Sequence, residues 1–141
     1  MSLSERWNDG PRTYVGLLSH GFPNMLMVAG PQSVSGSTNF PRAIEGGVDW
    51  VTRFLEHMRE HGITRCEARQ DAEKEWTAEV ARAHERLLAR RSRGWFTGYN
   101  SNVEGHEEGT VRYVAYFGGA PKYSELITRA ADEGYRGIEL G

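Results

Sequence analysis

The sequence predicts an α/β fold in which helices outweigh a few short strands. Three observations predict it. Residues 25–29 form a short apolar run between Pro23-Asn24 and Gly30-Pro31, the pattern of a strand covered on both faces. Residues 41–62 and 71–93 repeat apolar side chains at spacings of three and four, the period of helices with one buried face. A third, shorter run with the same period, residues 123–133, lies between Pro121 and Gly134.

Taken in order, Asp9-Gly10-Pro11 is a turn signal. Residues 12–20, with Tyr14, Val15, Leu17 and Leu18, read as a strand or as irregular extended chain. The strand of residues 25–29 follows, then Ser37, Thr38 and Asn39 offer capping oxygens ahead of Phe40-Pro41, and proline suits a helix's first turn. In the first long helix Ile44, Val48, Val51, Leu55 and Met58 mark the apolar face, and Gly62 ends it. The pair Gly46-Gly47 costs that helix about 2 kcal/mol against two alanines, so something must approach closely there or packing must compensate. Residues 63–70 read as a connector. The second helix places Ala72, Trp76, Val80, Ala83 and Leu87 on its apolar stripe, with acidic residues early and arginines late, as the helix dipole favours. Arg82 to Arg93 read as a solvated helix end, an RNA-binding patch being the weaker alternative. Residues 94–109 form a long loop whose aromatics, Trp95, Phe96 and Tyr99, speak for function. Residues 111–117 read as a strand, and residues 135–140 close the chain.

Composition bounds the function. The 141 residues fit one folding unit with a sufficient core, and a 38% hydrophobic content does not suggest disorder. A net charge of -2 gives no electrostatic argument for nucleic acid or for an anionic membrane. One cysteine, Cys66, excludes an internal disulfide and a cysteine-built zinc cage. No apolar run approaches the roughly 20 residues of a membrane span, so a soluble, cytoplasmic protein is the expectation.

Several motifs carry chemistry on paper. His57-Met58-Arg59-Glu60-His61 fits the H-x-x-E-H pattern of zinc peptidases, with His57 and His61 as ligands and Glu60 as the base. It falls in the last helical turn without an evident third ligand, where histidines also complement the dipole. No glycine pattern forms a dinucleotide or P-loop cradle. Ser33, Ser35 and Ser37 lack a nucleophile elbow. Cys66 stands beside Arg65, which could activate it, or it is incidental. Residues 30–39 read equally as a ligand surface of backbone amides and small side chains or as a well-capped connection. The Trp95 loop, between Gly94 and Gly98, reads equally as a lid or as a loop pinned by a buried tryptophan.

Together the loop segments resemble something specific. Asp9-Gly10-Pro11, residues 21–31, the Thr38-Asn39 helix entry, Val48-Asp49-Trp50, Gly94-Trp95-Phe96-Thr97-Gly98 and Gly134-Tyr135-Arg136-Gly137 follow the order and spacing of the C-terminal part of Baeyer-Villiger monooxygenases. The resemblance covers nearly the whole chain after about residue 8. It implies a helix-dominated C-terminal fragment of a flavoprotein with two dinucleotide-binding domains. Residues 1–62 would end the FAD-binding domain, and residues 63–141 would form a C-terminal helical segment with a mobile loop at 94–109.

It further implies an enzyme using FAD, NADPH and O2 to insert oxygen beside a ketone carbonyl. Gly30, Pro31, Thr38, Asn39 and Phe40 match flavin-side positions, and Val34 and Ser37 border the substrate. Trp95 matches the tryptophan of a loop that folds over the nicotinamide cofactor, and Gly118-Gly119 a family glycine pair. Residues 100–109 are longer and more acidic than the family's link. The family's two dinucleotide glycine motifs and its catalytic arginine lie upstream of the matched part, and none of Arg12, Arg42, Arg53 or Arg112 replaces that arginine. Met1-Ser2-Leu3 reads as added residues joined to a mid-protein sequence. The chain is therefore expected to be a truncated piece, inactive alone, that holds neither cofactor tightly. Its unpaired strand at residues 25–29 would promote self-association. The alternatives are a non-catalytic helical interaction domain derived from such an enzyme and the zinc peptidase.

Overall fold

Helix α2, Phe40–Glu60, organises the computed structural model, which describes residues 1–34, 38–87, 94–106 and 111–141. It starts where the capping signals put it: the Asn39 side chain accepts from the Arg42 amide, with proline in the first turn. It ends at His61, with Gly62 in the left-handed region at φ 66°. The buried face differs from the expected stripe. Gly47, Trp50, Phe54 and Met58 point inward, while Val48 and Leu55 remain 45% and 49% exposed. The helix is thus turned by about one residue, or 100°. The larger aromatic surfaces win: Trp50 stacks on Phe54 at 5.3 Å, Tyr135 meets both rings, and the Trp50 indole donates to the Ile127 carbonyl at 2.8 Å.

Ahead of α2, a short α1, Leu3–Arg6, is closed by a capping box between Ser2 and Glu5. Residues 12–20 are irregular and largely buried, with a single bridge between Tyr14 and Leu18. Residues 25–29 are not a strand. They are half-buried or exposed, and their ladder is replaced by single bonds, Met27 N to Leu17 O and, just before them, Asn24 N to Cys66 O. Without parallel neighbours the apolar run has nothing to pair with, which removes the strand edge that suggested self-association.

The connector instead contains β1, Cys66–Ala68, which pairs antiparallel with β2, Ile138–Leu140, in the register Cys66↔Leu140, Glu67↔Glu139, Ala68↔Ile138. Facing glutamates would destabilise this ribbon. Glu67 is compensated by an ion pair with Arg65, by the Gly21 amide at 2.8 Å and by His20 at 3.4 Å. Helix α3, Gln70–Glu85, buries Glu73, Trp76, Val80 and His84. It ends at Glu85, with Arg86 and Leu87 already outside the helix, short of the expected end at Arg93; residues 88–93, with the arginines there, lie outside the described residues. Residues 111–117 form no strand beyond one parallel bridge, Val34 to Tyr116. Helix α4, Ala120–Asp132, packs against α2 and begins three residues earlier than its apolar period suggests, with Pro121 in its first turn. No described helix is long and apolar enough to cross a membrane.

Candidate functional site

The segments singled out from the sequence as ligand-facing meet around one cavity of about 590 Å³. Gly30, Pro31, Ser33 and Val34 form one wall, Phe40 stands at the start of α2, and Trp95, Phe96 and Tyr99 close the opposite side. Trp7, Pro11, Val103, His106 and Arg112 complete the apolar-rich lining with their neighbours.

A buried polar knot fixes the first wall. Gln32, in the left-handed region at φ 64°, accepts from the Thr13 amide at 3.0 Å and donates to the Pro11 carbonyl at 2.9 Å. Thr13 Oγ1 lies 3.1 Å from Pro31 O and 3.0 Å from Gln32 Oε1, and accepts from the Gly16 amide. A Cβ on Gly16 would lie 2.7 Å from the Ser33 backbone, so only glycine lets the two strands of chain touch. Gln32 N to Val114 O and Tyr116 N to Ser33 O, at 2.8 and 2.9 Å, then sew residues 32–33 to residues 114–116.

The opposite wall is a 3-10 turn, Trp95–Thr97. The buried Thr97 hydroxyl accepts from the Gly94 amide and donates to its carbonyl, pinning the turn from beneath. Trp95 projects 75% exposed at the cavity mouth, so the loop is not pinned by this tryptophan. Phe96 leans edge-on against Phe117 at 5.5 Å.

Not every expected residue reaches the cavity. Asn39 spends its side chain on the α2 cap. Thr38 lines a second hollow of about 550 Å³ with Arg42, Asp49, Pro121 and Tyr123, and Val34 borders both. Ser37 lies outside the described residues. Trp7 and Arg112 were not foreseen as lining residues. Trp7 is held by its indole bond to Arg12 O at 3.1 Å, and its neighbouring turn signal was the one available hint.

The other motifs come out differently. His57 and His61 share a face, as four-residue spacing requires, with rings 4.2 Å apart. His61 Nδ1 lies 2.8 Å from the His57 carbonyl, His57 leans on Tyr135, and Glu60 is exposed. Among the described residues no three His, Cys, Asp or Glu side chains come together as a metal site. Cys66 is buried in β1, and burial pushes its thiol up, outweighing the lowering by the Asn24 bond and by Arg65. That is the reverse of an activated nucleophile.

No protein-family profile matches the chain. Individual relatives do. It is 32% identical over 139 residues to cyclopentanone 1,2-monooxygenase of Comamonas sp. strain NCIMB 9872, spanning 99% of this chain and 24% of that protein. A Baeyer-Villiger monooxygenase of Pseudooceanicola batsensis is 27% identical over 138 residues, spanning 98% and 24%. A phenazine N-monooxygenase of Lysobacter antibioticus is 32% identical over 139 residues, spanning 99% and 24%. The structure superposes on oxidized steroid monooxygenase bound to NADP with a TM-score of 0.86 and 31% identity, covering 99% of this chain and 24% of that one. The OTEMO complex with FAD and NADP gives a TM-score of 0.86 at 30% identity, covering 100% and 25%. The chain thus spans about a quarter of the length of the monooxygenases it matches. Of the two solved structures, the steroid monooxygenase is bound to NADP and OTEMO to FAD and NADP.

Proposed function

We propose that this chain is the C-terminal part of an FAD- and NADPH-dependent monooxygenase that inserts an oxygen atom from O2 beside a ketone carbonyl. The observation that supports this most is the joint lining of one cavity by Gly30, Pro31, Val34, Phe40 and Trp95, in a chain homologous along its length to such enzymes. The lining fits flat heteroaromatic cofactors. Trp7, Phe40 and Trp95 bring aromatic rings to it, and the described lining holds an arginine and no carboxylate.

In this reading Gly30, Pro31 and Phe40 border the flavin, Trp95 covers the nicotinamide, and Val34 with Ser37 borders the ketone. Asn39 acts indirectly, by fixing where α2 begins beneath Phe40. Thr38 faces the second hollow instead. FAD reduced by NADPH supplies the O2 chemistry, while these residues orient, shield and exclude water. The chain alone is inactive, because most of the cofactor-holding surface belongs to the three quarters of the family protein outside it. Exposed Val28, Phe40, Val48, Leu55 and Trp95 favour self-association in that isolated state.

Two measurements test this. Flavin absorbance on mixing FAD with the isolated chain is expected to show no stoichiometric tight complex; such a complex would overturn the inactivity. A chimera in which this chain replaces the matching 139 residues of the Comamonas enzyme is expected to retain flavin and to oxidise NADPH in a ketone-dependent way. A flavin-loaded chimera without ketone-dependent oxidation would overturn the function.

A further inference from the structure

We infer that Arg112 makes this cavity a receptor for the anionic group of its ligand, a carboxylate or a phosphate. The inference goes beyond the oxygenation reading, since it concerns charge selection by this chain's own residues.

The arginine is held in place by close backbone packing. A Cβ on Gly98 would lie 2.4 Å from Arg112 Cβ, and one on Gly10 would lie 3.3 Å from its Cγ. Both glycines have positive φ, at 75° and 121°, so each gives the arginine stem a channel that other residues would close. The Arg112 amide donates to Thr97 O at 2.9 Å, which registers the side chain against the Trp95 turn. Its fork is underused. Nη2 donates to Gly105 O at 3.2 Å, whereas Nε is buried without a partner. No ion pair is made by Arg112 among the described residues.

Arg6, Arg53, Arg65, Arg69, Arg82 and Arg129 each have a carboxylate, whereas Arg12, Arg42, Arg59, Arg86 and Arg136 share with Arg112 the lack of an ion pair among the described residues. What sets Arg112 apart is a buried guanidinium nitrogen without a partner at the wall of a cavity. The described cavity lining contains Arg112 and His106 but no aspartate or glutamate, in a chain whose net charge is -2. A guanidinium partly withdrawn from water, with no counter-charge among the described residues, gains when an anion arrives. Its planar donors suit carboxylate and phosphate alike. The aromatic walls select a ligand whose anionic group is attached to a flat apolar body.

The test uses the full chain, isotope-labelled, with NMR titrations read at the Trp7 and Trp95 indole signals. One arm compares 2-naphthoate with neutral 2-naphthalenemethanol. The other compares nicotinamide mononucleotide with nicotinamide riboside. The charged member of at least one pair is expected to bind about tenfold more tightly than its neutral partner, and the pair that discriminates identifies carboxylate or phosphate as the group read. Arg112→Met, which keeps the stem between the glycines, is expected to abolish that preference while leaving the neutral probe's affinity within twofold. Arg112→Lys is expected to restore part of it, and His106→Gln to leave it. Equal affinities within both pairs, absence of binding by all four probes, or an undiminished preference in a folded Arg112→Met protein would each overturn the inference. So would a preference that follows His106 instead.

Discussion

Glu73→Gln should cost this chain about 3 kcal/mol of stability, although it alters one atom pair and no volume. Glu73 is 1% exposed on α3, and its carboxylate joins three parts of the chain. Oε1 takes Arg6 of α1 at 2.5 Å, and Oε2 takes the His20 amide at 2.7 Å and lies 3.2 Å from the Ser19 hydroxyl. A glutamine cannot satisfy both ends. If its oxygen keeps His20, its amide faces the Arg6 guanidinium donor against donor, and the reverse orientation sets it against the His20 N–H. Each charge-assisted bond lost is worth about 1.5–3 kcal/mol, and leaving a buried charge unpaired costs about 3–5 kcal/mol. Arg6 is itself 14% exposed, so water recovers part of the loss and the lower end applies. Urea unfolding of the parent, Glu73→Gln, Arg6→Met and the double variant closes a cycle with a coupling of about 2 kcal/mol expected. A Glu73→Gln loss below about 0.5 kcal/mol, or a coupling near zero, would refute the assignment of Glu73 as the tie between α1 and α3.

The glycine pair of α2 separates two effects that sequence alone combines. A Cβ at Gly47 would lie 2.2 Å from Val28 O, so Gly47→Ala should cost about 2 kcal/mol, whereas Gly46 meets nothing within 4 Å and Gly46→Ala should gain about 1 kcal/mol by thermal or urea unfolding. His84 supplies a pH dependence. Its ring is fully buried between Tyr113 and Phe117 with both nitrogens unpartnered, and burial holds its pKa below 6.5, opposed by Glu85. A depressed imidazole pKa leaves stability complete above 6.5 and removes it as pH falls toward the folded value, by at most about 1.4 kcal/mol per pH unit. Urea midpoints of the parent should therefore drop between about pH 7 and pH 5 more steeply than those of His84→Leu. Equal slopes would remove His84 from the account.

Short-range chemistry explains what could be read in advance. The Asn39 cap, Pro41, the apolar period of residues 40–60 and Gly62 act within a turn or two of chain, so α2 was legible almost to the residue. The end of α4 before Gly134 was equally legible, but its start was not, since the helix begins at Ala120 rather than at Tyr123. The cavity walls were legible as loops rich in glycine, proline and aromatics, and Gly30, Pro31, Val34, Phe40 and Trp95 do converge on it. Thr38 and Asn39 do not, because local capping and the adjoining hollow claimed them.

By itself, then, the sequence determined where α2 begins and ends and which loops carry ligand-type residues, since both depend on neighbours in the chain. Tertiary structure alone decided which α2 face is buried, that residues 25–29 have no ladder, and that Cys66–Ala68 finds Ile138–Leu140. It also decided that Arg112 enters the cavity between Gly10 and Gly98. Pairing partners seventy residues apart and counter-charges on other elements leave no trace in local periodicity, because a backbone group or a charge is satisfied by whatever the folded chain brings beside it.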